Sequence, residues 1–250
     1  MLKEERQRLI MREINLHNKV LSVDLSILLN VSEDTIRRDL KELVDSGQIL
    51  KVHGGAISKS LAAPLVTNDS HVYALSAKQT IASKSLSLLK NNMVILTEGG
   101  TTILELAKMI PSSLKATFFT ISPQAAITLS EHDNLEVITI GGKLHKNAYL
   151  HTGASVINDI SEIKVDLCLL GANGLSPQEG LTDNDWDVVQ VKKALIRAAK
   201  KVAVLAISEK LNTTQRIKIC DIGQIDYLVT ELAPNDPFLL AYHNADVQLI

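Results

Sequence analysis

The hydrophobic period of this chain changes once, near residue 58, and no other feature constrains the fold as strongly. Before that point apolar residues recur at helical spacing, and beyond it short continuous apolar runs alternate with helical stretches. Such a switch predicts a small helical module followed by a larger α/β domain. At 250 residues and 46% hydrophobic content, the chain is long enough for one sizeable core plus that module.

From Lys3 to His17, the residues Leu9, Ile10, Ile14 and His17 mark one helix, with Asn18 as its expected stop. Ser22 is expected to cap a second, short helix in which Leu25, Leu28 and Leu29 share a face and Asn30 closes the end in a left-handed conformation. Ser32 is expected to cap a third, where Ile36, Leu40, Leu43 and Val44 form an amphipathic stripe ending at Gly47. In "QILKVHGGAIS", Ile49, Leu50 and Val52 precede Gly54-Gly55, which permits a hairpin turn. Three helices and a hairpin predict a winged helix-turn-helix over residues 1–58. The stretch from Ser58 to Ser70, with Pro64, lacks periodicity and predicts a linker, placed at 59–75, before a domain spanning 76–250.

In that domain apolar runs at Met93–Thr97, Ala116–Ile121, Leu135–Ile140, Val165–Leu170, Val202–Ile207 and Asp226–Thr230 predict strands. Helical stretches at Ile103–Ile110, Gln124–Ser130 and Val188–Lys200 lie between several of them. This is an α/β pattern, and in such folds ligands bind in loops at the carboxyl ends of the strands.

The charge balance is nearly neutral: residues 1–59 hold 10 Lys+Arg against 9 Asp+Glu, leaving 16 against 19 for the remainder. Any nucleic-acid footprint is therefore a local patch. The two cysteines, Cys168 and Cys220, lie in apolar runs without metal or redox spacing and read as reduced core thiols. No apolar run approaches membrane-spanning length, and a cytoplasmic location with no membrane partner is the expectation.

On the third helix, Arg38 falls almost opposite Ile36, with Thr35, Arg37 and Lys41 flanking it on the outward face. Taken alone, these charges read as a solvated surface with Glu33–Arg37 and Arg38–Glu42 pairs. With a capped helix, a tight turn and a wing carrying Lys51 and His53, they read instead as a surface for the major groove of DNA.

The segment "VSEDTIRRDLKELVDSGQILKVHGGA" resembles the signature of the DeoR family of bacterial transcriptional regulators, through its S-x-x-T-I-R-R-D-L core and closing H-G-G-A. The resemblance implies that Ser32, Thr35, Arg37, Arg38 and Lys41 contact an operator, with Lys51 and His53 near the backbone.

Four loops follow strand candidates: "TEGGTT" (97–102), "TISPQ" (120–124), "IGGK" (140–143) and "LGANGL" (170–175). Their amides, hydroxyls and lysine suit a phosphate or polyhydroxy ligand. Candidate contacts there are Glu98, Gly99, Gly100, Thr101, Thr102, Thr120, Ser122, Gly141, Gly142, Lys143, Gly171 and Asn173, with Lys192 or Lys210 to neutralise further charge.

Residues 71–232 also resemble the DeoR-type effector domain, which implies a fold related to ribose-5-phosphate isomerase and coenzyme A transferases and a phosphorylated-sugar effector. The family resemblance further implies repression relieved by ligand. Two positions depart from the family pattern: Ile121 where Asn is usual, and Ile207 where Asp is usual.

The competing class is an isomerase-like enzyme, for which "LTDNDWD" supplies Asp183, Asp185 and Asp187 as an acid/base or metal cluster, although such a run more often forms a solvated loop. There is no Walker A motif, no GxGxxG and no His/Cys metal spacing. A sensor joined to a DNA-binding module is the reading adopted, with no cofactor or metal and with a homodimer or homotetramer expected on symmetric half-sites.

Overall fold

The computed structural model describes residues 1–17, 19–58 and 72–250. The expected stop at Asn18 and the Pro64 linker segment lie outside the described residues. The chain divides into two compact units, Met1–Tyr73 and Ala74–Ile250.

The first unit runs α1 (Lys3–His17), β1 (Lys19–Leu21), α2 (Ser22–Leu29), α3 (Glu33–Asp45), β2 (Ile49–Val52) and β3 (Gly55–Ser58). Its strands form an antiparallel sheet in the order β1-β3-β2. Ile10 and Ile14 of α1, Leu25 and Leu29 of α2, Ile36, Leu40 and Leu43 of α3 and Ile49 of β2 share one core. As expected, Ser32 caps α3, its hydroxyl accepting from the Thr35 amide, and Asn30 closes α2 at φ 51°.

Three local expectations are corrected. Ser22 does not cap α2: Leu21 holds the cap position, and the Ser22 amide donates 2.8 Å to the Gly54 carbonyl, because β1 runs straight into the helix beside the wing turn. Leu28 does not share the inward face of Leu25 and Leu29 and is 59% exposed, since one core contact line is all this two-turn helix presents. The wing turn is His53-Gly54, with Gly54 at φ 74°, whereas Gly55 already belongs to β3. A Cβ on Gly55 would lie 1.9 Å from the Val20 carbonyl oxygen, so the close approach of β1 requires glycine.

The second unit begins with α4 (Leu75–Ser85), which starts at the last residue of the expected linker. It continues through β4 (Val94–Thr97), α5 (Thr101–Met109), β5 (Ala116–Thr120), α6 (Pro123–Ser130) and β6 (Leu135–Thr139). Then follow the hairpin β7 (Lys143–His145) and β8 (Leu150–Thr152), α7 (Ala154–Ser161) and β9 (Val165–Gly171). The remainder comprises β10 (Gly174–Ser176), β11 (Gly180–Asp183), α8 (Trp186–Ala198), β12 (Ala199–Leu205), β13 (Ile217–Cys220), β14 (Tyr227–Val229) and β15 (Gln248–Leu249).

Seven strands make a parallel sheet in the order β15-β14-β12-β9-β4-β5-β6. All six expected strand runs are in it, their bounds moved by three residues or fewer. The chain enters at β4, adds β5 and β6 on one side, then crosses to β9, β12, β14 and β15 on the other. The order therefore reverses between β4 and β9, and the carboxyl ends of that pair mark the crevice position of parallel α/β folds. A small antiparallel sheet, β10-β11-β13, stands beside it. Both cysteines are free and buried.

Candidate functional site

On the first unit, Arg37, Arg38, Lys41 and Lys51 line one concave surface of about 670 Å³, together with Asp34, Ser22 and Gly54-Gly55 at the wing turn. The amphipathic stripe of α3 turns Arg37, Arg38 and Lys41 outward by burying Ile36, Leu40 and Leu43, and Lys51 is exposed on β2. They are not equivalent. Arg37 is tied to Glu33 at 2.7 Å and to Asp34 at 3.6 Å, the local pairing the sequence suggests.

Arg38, Lys41 and Lys51 have no ion-pair partner among the described residues, and all three are exposed. The alternative Arg38–Glu42 pair does not form, because Lys3 and Gln7 of α1 hold the Glu42 carboxylate at 2.6 and 2.9 Å. The hydroxyls of Ser32 and Thr35 bond each other at 2.9 Å at the helix start, and His53 is exposed at the wing tip.

One residue of the signature segment points the other way. Asp39 is 2% exposed and accepts from Arg6 Nε at 2.5 Å and Nη2 at 3.2 Å, clasping α3 to α1. The Asp39 hydrogen bond raises the Arg6 guanidinium above its ordinary range, with burial opposing. The wheel position of Asp39, next to Leu40 and Leu43, is the signal in the sequence that marks it as inward.

On the second unit, Glu98 follows β4 and is buried at the β4/β9 switch. Its Oε1 accepts from the Gly171 amide at the end of β9, and its Oε2 lies 3.3 Å from Lys192 Nζ. Lys192, on α8, is also buried; it reaches Asp183 at 3.3 Å and donates to the Gly171 carbonyl at 3.2 Å. Asn173 donates to the other Asp183 oxygen at 2.9 Å.

Burial pushes the Glu98 carboxyl above the ordinary carboxylate range, against the pull of Lys192. Burial would lower Lys192, but Glu98 and Asp183 more than offset it and its ammonium is raised. Lys210 completes the group, donating 2.7 Å to the Ala172 carbonyl. The sequence leaves Lys192 and Lys210 as alternatives, and the fold brings both to this crevice. Asp183 is not part of a solvated loop: it is buried, while Asp185 caps α8 and Asp187 is exposed.

Thr120 and Ser122 join the same crevice. The Thr120 hydroxyl donates to the Glu98 carbonyl at 3.3 Å and accepts from the Ser122 amide at 3.1 Å, and Ser122 caps α6. Gly99 passes so close to Ser122 that a Cβ there would sit 2.7 Å from its Oγ. Gly100, at φ 94°, leads into α5, whose first residues are Thr101 and Thr102. No side chain caps this end, and the amides of a helix's first turn have no acceptor within the helix.

Gly141 and Gly142 stand one step further out, beyond Ile140, whose amide donates to the Thr120 carbonyl at 2.9 Å. Lys143 is exposed on β7, its carbonyl accepting from the Thr152 hydroxyl at 3.4 Å. Ile121 is in the core and Ile207 is buried before the short turn Ser208–Lys210, so the two departures supply apolar packing where the family pattern has polar groups. Among the described residues no group of three or more His, Cys, Asp or Glu could hold a metal ion, and no helix is long and apolar enough to cross a membrane.

A winged helix-turn-helix with an outward cationic face, followed by a parallel α/β unit with a polar crevice at its switch point, defines a one-chain DNA-binding regulator with its own sensor. Residues 6–61 match the DeoR-like helix-turn-helix domain, and residues 74–232 match the DeoR C terminal sensor domain. The chain belongs to the DeoR family of transcriptional regulators, and it is a DNA-binding regulator rather than an enzyme.

It is 33% identical to the HTH-type transcriptional regulator GolR of Listeria innocua, over 96% of this chain and 95% of that one. It is 31% identical to the HTH-type transcriptional repressor GlcR of Bacillus subtilis, over 100% of this chain and 96% of the other. Among solved structures, ribose 5-phosphate isomerase A from Methanocaldococcus jannaschii shares 21% identity at a TM-score of 0.39, over 54% of this chain and 53% of that one.

Proposed function

We propose that this regulator represses a carbohydrate-catabolism operon and that a phosphorylated sugar, bound in the β4/β9 crevice, modulates its hold on DNA. The observation that supports this reading is the cluster of polar groups at the carboxyl ends of β4 and β9. Buried Glu98, Asp183 and Lys192 close its floor, Lys210 brings a cation to it, and the uncapped start of α5 offers amides and two threonine hydroxyls. Carboxylates suit sugar hydroxyls, and the helix start with a lysine suits a phosphoryl group.

On the DNA side, Arg38, Lys41 and Lys51 supply unpaired charge, while Ser32, Thr35, Arg37 and His53 flank them. Because a single head carries so few cations, we read the active species as a dimer or tetramer that sets two heads on symmetric half-sites.

One gel-shift series at fixed salt tests these points. Arg38→Ala is expected to cost about 1–3 kcal/mol at the operator and to relax its sequence preference, whereas Lys41→Ala weakens all sequences alike. Unchanged affinity and preference in Arg38→Ala would remove Arg38 from the interface. Deleting one half-site should cost most of the affinity, and an unaffected complex would mean that a single head suffices.

The double variant Thr101→Ala/Thr102→Ala is expected to bind operator as the wild type does but to lose its response to the sugar phosphate that shifts the wild type. A retained response would place the phosphoryl group elsewhere.

A further inference from the structure

A second cavity of the sensor unit lies at the opposite end of its sheet from Glu98. Its volume is about 600 Å³, and Met93, Leu167, Lys201 and Tyr227 place it at the amino ends of β4, β9, β12 and β14. None of the candidate effector residues lines it. Strands of a parallel sheet are ordinarily covered on both faces, so an opening of this size, within the range of small-molecule sites, is a gap in that cover. Leu88, Met93, Leu167 and Leu249 give it an apolar lining, and all four are buried or half-buried.

Four charged residues also line the cavity, and two of them are already neutralised. Asp166 is paired with Lys200 at 2.8 Å, and Lys201 with Asp226 at 2.6 Å. Lys84 and Lys90 are left over. Lys84, near the end of α4, donates to the carbonyls of Thr230 at 2.8 Å and Leu232 at 2.6 Å and has no carboxylate partner among the described residues. Those bonds hold the ammonium in place and leave its third hydrogen without an acceptor. The Lys90 side chain is exposed and makes no bond among the described residues.

We propose that this cavity is a second ligand site, which takes a small organic carboxylate: the acid group meets Lys84 and Lys90, and an apolar body covers Met93 and Leu167. The charge is complementary, since the two cations are uncompensated and one is fixed by main-chain carbonyls before any ligand arrives. The apolar lining asks for more than a bare anion. The cavity also meets the end of α4 and not its start, so it lacks the first-turn amides that suit a phosphoryl group. The proposal does not depend on what occupies the β4/β9 crevice.

The test is fluorine NMR of the full chain with para-trifluoromethylbenzoate and, as its uncharged counterpart, para-trifluoromethylbenzamide. The benzoate is expected to bind saturably with a Kd on the order of 1 mM or tighter, and the benzamide at least about tenfold more weakly. Lys84→Met and Lys90→Glu should each weaken the benzoate by about tenfold, whereas Thr101→Ala/Thr102→Ala should bind it as the wild type does.

Lys90 makes no side-chain bond, so Lys90→Glu keeps the test open even if loss of the Lys84 tether unfolds the unit. No saturable binding of the benzoate by the wild type overturns the site. Equal binding of benzoate and benzamide, or wild-type binding by Lys90→Glu, overturns the role of the two cations. Binding that is lost in the threonine double variant would assign the probe to the crevice and overturn the proposal as well.

Discussion

Lys192→Met is expected to destabilise the sensor unit by about 3–5 kcal/mol, because it leaves Glu98 and Asp183 buried without the cation that both lean on. For a domain of this size that corresponds to a fall in Tm on the order of 10 °C. The defect should also depend on pH in a definite direction. Glu98 is already raised by burial, and loss of Lys192 takes away the positive charge that most strongly opposes that rise.

A carboxyl whose folded-state pKa is raised costs stability above that pKa and costs nothing once both states are protonated. The gap between variant and wild type should therefore be full above the variant's folded pKa of Glu98 and narrow as pH falls through that value toward the wild-type one. Scanning calorimetry of the full chain at several pH values measures it. A gap that stays constant or widens on acidification would show that Glu98 and Asp183 do not carry the defect.

Asp39→Ala should act on the other unit. It removes a two-point hydrogen bond between α1 and α3 and strands the Arg6 guanidinium, at a cost of about 1.5–3 kcal/mol. A unit this small loses roughly 4–8 °C of Tm per kcal/mol, so the shift should be plain in the first unit's transition while the sensor's transition stays in place. Asp39→Asn, which can still accept one bond, should fall between. A first-unit transition that does not move would mean that the clasp adds nothing to the packing of Ile10, Ile14 and Ile36.

Lys192 and Asp39 are residues whose meaning is only partly legible in the sequence, and the reason is physical. Periodicity reports burial of apolar side chains, so α3 and its stripe, the wing, and the six main strands can be read directly. It reports charged residues poorly. Asp39 sits in a run of charges, set apart only by a wheel position beside Leu43. Asp183 belongs to an acidic segment whose other members, Asp185 and Asp187, do reach the surface side of α8.

In each case burial is decided by a partner 33 or more residues away, or on another element, which local pattern cannot register. Strand β1 escapes sequence reading for a different reason: three residues make no alternation, and only their pairing with β3 defines them. Ser22 misleads because a serine before an apolar run usually caps, whereas here the amide it would free already has the Gly54 carbonyl. The glycine loops are legible as a set, since each closes a strand, but Lys143 is not, because a lysine on a two-stranded ribbon can face either way.

The winged head keeps its frame apart from its cationic face. Wing strand β3 is fixed on both sides by β1 and β2, Gly55 leaves no gap against Val20, the Gly54 carbonyl is held by Ser22, and α3 is clasped from behind by Arg6. All of these restraints lie within residues 1–58 and none uses the side chains of Arg38, Lys41 or Lys51. Scaffold and alphabet are thus separate: the letters proposed for reading a DNA groove can be rewritten at those positions without repacking the frame that presents them.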